Sequence, residues 1–143
     1  MAGTEGTCDD GWFTLDLGDY QAPPLVQLRQ WCGQALAHLS KASLSDVLLL
    51  VVELVTNAYD HGAGARQVRL GHSPGPCRLR IEVDDNNTKH PRLGPGGVDQ
   101  VRGRGLIILD RLAEEWGVRD EPAVGGKCVW AVISCSGADR APR

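Results

Sequence analysis

LLLVVELVTNAYDHG, residues 48–62, sets an oily run against four polar residues, Glu53, Asn57, Asp60 and His61, that fall within nine positions of one another. The longer stretch that contains it, SLSDVLLLVVELVTNAYDHG, opens on serine and aspartate, which cap helix N-termini, and closes on Gly62, a common helix stop. Its apolar spacing predicts a helix. Projected at about 100° per residue, Asp46, Glu53, Asn57 and Asp60 occupy one narrow arc, with Thr56 and His61 on its flanks. A solvated face is one reading of that arc. Such faces usually carry long Lys, Arg and Glu side chains, whereas this one offers short oxygen donors that suit a hard cation. The amide oxygen of Asn57 can ligate Mg²⁺ without overcharging a site that already holds phosphates. Glu53, one helical turn earlier, can take a proton from a hydroxyl nucleophile or a water.

Outward from this helix, the chain reads as strands and helices in a simple order. WFTLDL alternates like a half-buried strand from Trp12. APPLVQLRQWCGQALAHL places prolines at a helix start and apolar residues at helical spacing, giving a first helix. RQVRLGH and CRLRIEVDD alternate around the turn signal SPGP, which predicts two adjacent antiparallel strands. In the second of these, Ile81, Val83 and Asp85 share a face, so a carboxylate closes an apolar row at the strand end. Such a carboxylate can accept from the exocyclic amine of adenine while the row packs the ring; the alternative is an aspartate that merely starts a loop. Residues 86–104 contain four glycines and two prolines without apolar periodicity and are predicted to form a lid-like loop. GRGL, residues 103–106, leads glycines into a helix whose free backbone amides suit a phosphate. GLIILDRLAEEWG predicts that third helix, stopped by Gly117, and WGVRDEP and KCVWAVIS predict strands about a glycine turn at AVGG. Antiparallel strands with helices between them imply an α+β two-layer sandwich. One domain is expected over residues 12–136, with a disordered segment at 1–11 and a flexible tail at 137–143.

The composition narrows the function. Among 143 residues, 18 acidic against 15 basic leave no cationic stripe of the kind that neutralises a phosphate backbone, so nucleic acid is not expected as a direct partner. The five cysteines, Cys8, Cys32, Cys77, Cys128 and Cys135, form no CxxC pair and no metal-ligand spacing, which favours a reduced, cytoplasmic chain. No signal-peptide pattern opens the sequence, and the apolar run Val47–Val52 is too short to span a bilayer, so a soluble protein without membrane contact is expected.

ELVTNAYDHG, an adenine-type aspartate after a strand, and a downstream GRGL, in this order, resemble the nucleotide-binding domain shared by gyrase B, Hsp90, histidine kinases and MutL. From about Trp12 to Ser134 the chain looks most like the stand-alone bacterial anti-sigma factor serine kinases. The resemblance implies a Bergerat-type ATP-binding fold, with a mostly antiparallel sheet covered on one face by helices, and ATP and Mg²⁺ as cofactors. It implies Glu53 as general base, Asn57 as magnesium ligand and Asp85 as adenine-binding aspartate. Gly103, Arg104, Gly105 and Leu106 then match the glycine motif near the phosphates, and Lys127, in GGKCVW, lies in the family's final glycine-containing motif. The family usually has a glycine two positions after its adenine aspartate; Asn87 stands there in this chain. The implied partners are a sigma factor and a STAS-domain anti-sigma factor antagonist, with a possible homodimer formed through helix one and the N-terminal strand.

Two function classes follow. In one, the protein sequesters a sigma factor and phosphorylates a serine on the antagonist. In the other it is a non-catalytic partner-binding module whose nucleotide binding is weak or only structural. A detached histidine kinase domain fits less well, because no hairpin with a phosphoacceptor histidine precedes the domain and His38 near a helix end reads as surface. Trp31 and Trp130 sit at helix and strand core positions, which favours packing over nucleic-acid stacking.

Overall fold

The computed structural model describes residues 7–9, 12–60, 63–74, 76–87 and 103–134. They build a six-stranded antiparallel sheet with helices on one face. In chain order the elements are β1 (Thr7–Asp9), β2 (Trp12–Asp16), α1 (Leu25–Ala35), α2 (Lys41–Asp60), β3 (Ala65–Pro74), β4 (Cys77–Asp85), α3 (Gly103–Leu112), β5 (Glu115–Glu121), a 3-10 turn (Pro122–Val124) and β6 (Gly126–Ser134). The strand order is β1-β2-β3-β4-β6-β5, so β4 lies inside the sheet between β3 and β6. This is the expected α+β two-layer arrangement.

The core lies between sheet and helices. Leu15, Val68, Leu70, Ile81, Val83 and Ile133 alternate inwards from the strands, and Val47, Leu50, Val51, Leu54, Val55 and Ala58 meet them from α2. Burying each such Val, Leu or Ile contributes roughly 1.5–3 kcal/mol. By length and composition α2 is apolar enough to cross a membrane. Its apolar side is instead spent on the sheet, with Leu28 and Trp31 of α1 and Leu109 of α3 completing the same core.

Local chemistry accounts for several boundaries that differ from the sequence reading. α2 starts at Lys41, not at the serine and aspartate further on, because Ser40 Oγ accepts the Ser43 backbone N–H at 3.1 Å and caps the helix. Past its end, Gly64 takes φ +75° and its N–H donates to the Ala58 carbonyl at 3.0 Å. Gly62, the expected helix stop, lies outside the described residues. Gly117 does not stop α3; it sits within β5, and a Cβ there would stand 2.8 Å from the Trp130 ring. A short strand, Thr7–Asp9, pairs with β2 inside the segment expected to be unstructured. The expected lid falls mostly, and the expected tail wholly, outside the described residues.

The other face of the sheet carries charge. Glu82 accepts from Arg80 Nε at 2.6 Å and from Arg69, while Asp84 accepts from Gln67 Nε2 at 2.6 Å. Trp130 lies on this open face, not in the core, with the Arg80 guanidinium 4.4 Å from its ring centroid. Cys128 is buried beneath these groups, and burial pushes its thiol up to about 12, with Glu82 and Asp84 adding to the effect. Cys77 is disulfide-bonded, which departs from the expectation of a fully reduced chain. His38 is exposed, as expected, and its ring meets that of His72 in a tilted contact, 4.7 Å between centroids with the planes 52° apart.

Candidate functional site

The predicted residues gather at one end of the sheet, on its helical side. α2 packs on β3, β4 and β6 and so carries its polar arc over the strands that end in Asp85 and begin with Lys127. Within that arc Glu53 is buried, Asn57 is half-buried and Asp60 is exposed. Burial of a glutamate one turn before an asparagine removes the solvated-face reading for those two residues. The Asn57 Oδ1 atom is buried and has no hydrogen-bond partner among the described residues. A buried acceptor left without a donor costs about 1–3 kcal/mol, so the oxygen is suited to a ligand that the protein does not itself supply.

That oxygen is the test of whether magnesium fits. Among the described residues no group of three or more His, Cys, Asp or Glu side chains could hold a metal. A single amide oxygen beside a phosphate site matches Mg²⁺, which keeps its waters and is commonly held by one or two protein oxygens plus substrate phosphates. The residues present therefore fit a nucleotide-borne magnesium and not a dedicated protein cage.

Gly103–Leu106 form the first turn of α3, which packs against α2. The amides of a first helical turn have no intrahelical carbonyl partner and carry the positive end of the helix dipole. The fold thus packs the helix that begins with these amides against the helix that holds Glu53 and Asn57.

Asp85 is where the structure adds most. The residue is 3% exposed, and its Oδ2 accepts from Lys127 Nζ at 3.0 Å, while its Oδ1 accepts the Asn87 backbone N–H at 2.7 Å. Lys127, 1% exposed, donates a second bond to the Asn87 carbonyl at 2.8 Å. The two side chains are directly opposed across the β4–β6 ladder. Two glycines make that approach possible. Gly125 takes φ +71° in the connection from β5, and a Cβ on Gly126 would collide with the Asp85 carbonyl oxygen. Asn86 fastens the surroundings: its N–H donates to the Gly64 carbonyl at 3.0 Å, its Nδ2 to the Ala63 carbonyl at 3.0 Å, and its Oδ1 accepts from Arg66 at 3.1 Å.

Sequence reasoning placed Lys127 in the site but did not pair it with Asp85. The signal was available, since KCVWAVIS is an apolar strand that begins with a lone lysine next to a glycine turn. It also missed the Asn87 backbone and Arg66. At the opposite end of β4 a cavity of about 370 Å³, lined by Trp12, His72, Arg78 and Arg80 among others, involves none of the predicted site residues.

Residues 18–133 match the family described as the histidine kinase-like ATPase domain. An uncharacterized protein of Streptomyces coelicolor is 40% identical over 72 residues, which cover 48% of this chain and 68% of that protein.

Proposed function

The chain belongs to the histidine kinase-like ATPase domain family, and on that premise we propose that it is an ATP-binding switch of the anti-sigma factor kinase type, sequestering a sigma factor in the cytoplasm and phosphorylating a serine on a STAS-domain antagonist. The observation that carries this reading is the orphaned, buried Oδ1 of Asn57 one helical turn from the buried Glu53. Asn57 would hold the magnesium, and the first turn of α3, Gly103, Arg104, Gly105 and Leu106, would offer backbone amides to the phosphates. Bound magnesium and nucleotide supply a γ-phosphoryl group whose charge is partly neutralised.

The chain's own residues then act on the incoming serine. The Glu53 carboxylate accepts the seryl hydroxyl proton as the oxygen forms its bond to the γ-phosphorus; the bond from that phosphorus to the β–γ bridging oxygen breaks, and ADP leaves with the electron pair. A positioned general base typically contributes about 10²–10⁴-fold. Glu53→Gln should therefore bind Mg-ATP nearly as well as the parent and transfer phosphate to a STAS-domain antagonist more slowly by about that factor. A variant that transfers phosphate at the parental rate removes Glu53 from the mechanism. A parent that binds ATP yet phosphorylates no antagonist from its own source removes the kinase assignment.

The buried Asp85–Lys127 pair favours a second reading, a partner-binding module with weak or structural nucleotide binding, because the carboxylate meant for adenine already holds a cation. In that reading the sigma factor or the antagonist binds the same surface and no phosphate moves.

A further inference from the structure

We propose that Lys127 is the residue that sets nucleotide discrimination in this domain: its ammonium group acts as an internal occupant of the base-reading carboxylate and prevents the site from recognising adenine. The inference rests on the nucleotide-binding reading above and concerns the base half of that site only.

Three observations carry it. First, both oxygens of Asp85 are engaged from within the protein, Oδ2 by Lys127 Nζ at 3.0 Å and Oδ1 by the Asn87 N–H at 2.7 Å. A base amine that approached would find an acceptor already neutralised by a full charge. Second, Lys127 has nowhere to withdraw at low cost. Its side chain is 2% exposed, and the second bond to the Asn87 carbonyl at 2.8 Å ties the ammonium to the chain immediately after Asp85. A lysine that merely flanked a pocket would extend its flexible stem and leave its head in water. Third, the backbone is built for this contact. The left-handed Gly125 and the Cβ-free Gly126 let β6 begin directly against the end of β4, which opposes Lys127 to Asp85 as cross-strand partners.

Each Asp85 oxygen accepts one bond and keeps a second acceptor site, but the adjacent ammonium charge weakens it as an acceptor, and pulling a desolvated ion pair apart leaves a buried charge without a partner. A neutral adenine amine is a weaker donor than an ammonium. The triphosphate half of the site, at Asn57 and the first turn of α3, involves none of these bonds. Phosphate binding and base recognition are thereby uncoupled, and the ligand class favoured is a magnesium polyphosphate whose base contributes little.

Isothermal titration of the full chain with Mg-ATP, Mg-GTP and Mg-tripolyphosphate tests this, with Lys127→Met and Lys127→Thr measured beside the parent. For the parent, ATP, GTP and tripolyphosphate should bind within about threefold of one another, since the base adds no resolved free energy. In folded Lys127 variants the affinity for ATP should rise by about tenfold or more while that for tripolyphosphate stays level. Circular dichroism establishes which variants are folded, and the parent's ATP-to-tripolyphosphate ratio decides the matter even if neither is. Parent binding of ATP about tenfold tighter than tripolyphosphate overturns the proposal and leaves the nucleotide reading standing. Preferential binding of GTP overturns it too, because Lys127 would then be reading a keto oxygen. If no polyphosphate binds the parent or a folded variant, the nucleotide reading itself fails and takes this proposal with it.

Discussion

The two faces of the sheet handle ionic groups in different ways. On the helical face, one carboxylate and one ammonium, Asp85 and Lys127, are almost wholly withdrawn from water and depend on each other. On the open face, Glu82 and Asp84 are as deeply set, but their cations, Arg69, Arg80 and Arg119, remain between a quarter and a half exposed and share the load. A buried pair is weak evidence for stability, because desolvation offsets the attraction, but breaking it from one side leaves a charge with no partner. A network of half-exposed arginines degrades gradually instead, because Glu82 keeps another cation, Asp84 keeps the Gln67 amide beside Arg69, and water reaches the guanidinium groups. The difference teaches where mutational sensitivity should lie: with the isolated pair, whose carboxylate the family resemblance assigns to adenine.

The comparison breaks most visibly at Asp85. Asp85→Ala strands the Lys127 ammonium and should cost about 3–5 kcal/mol in urea unfolding. Loss of nucleotide binding in that variant therefore cannot by itself mark Asp85 as the adenine acceptor. Asp85→Ala combined with Lys127→Met should recover more than half of the loss, since no charge is then buried alone. An equal loss in the double variant would mean that packing, not charge, governs this end of the sheet.

Glu82 should respond less. Burial pushes its carboxyl up, but the Arg80 hydrogen bond and the charges of Arg69, Arg80 and Arg119 outweigh burial and hold it below its ordinary 4.5. A group lowered in the folded state contributes its stability above the unfolded value and loses it as pH falls through the lower folded one. Glu82→Gln should accordingly cost about 1 kcal/mol at neutral pH, with the gap to the parent closing below the ordinary value of 4.5. Urea midpoints at a series of pH values read this directly; a gap that persists well into acid would assign the effect to shape and not to charge.

The smallest effect belongs to a pair at the edge of the open face. Arg78 Nε meets Glu114 Oε1 at 2.7 Å, but both side chains are more than two-fifths exposed. Arg78→Ala should shift stability by no more than about 0.5 kcal/mol, and added salt should shrink the shift further. A larger shift would place Arg78 in the same cooperative network as Arg80.

Some of this was legible in residue order alone. The period of the apolar residues in α2, the alternation in β3 and β4 and the turn at SPGP are local signals, and each fixes backbone geometry within a few residues; the two-layer α+β class follows from their sequence. The placement of Glu53 and Asn57 on one arc is likewise a matter of helical period. Gly117 shows the limit. Beside AEEW it looks like a helix stop, yet it belongs to a strand because Trp130, thirteen positions later, lies across it. Trp130 was read as core for a related reason, since alternation says which residues share a face but not which face meets the helices. The deciding case is Asp85. Its position at a strand end was evident from the row it closes, whereas its partner was not, because Asp85 and Lys127 are 42 residues apart and meet only through the β4–β6 register. Which ligands a helix can offer is a property of one helix; which charge a carboxylate already holds depends on two strands and a turn packing together, and only the tertiary structure decides it.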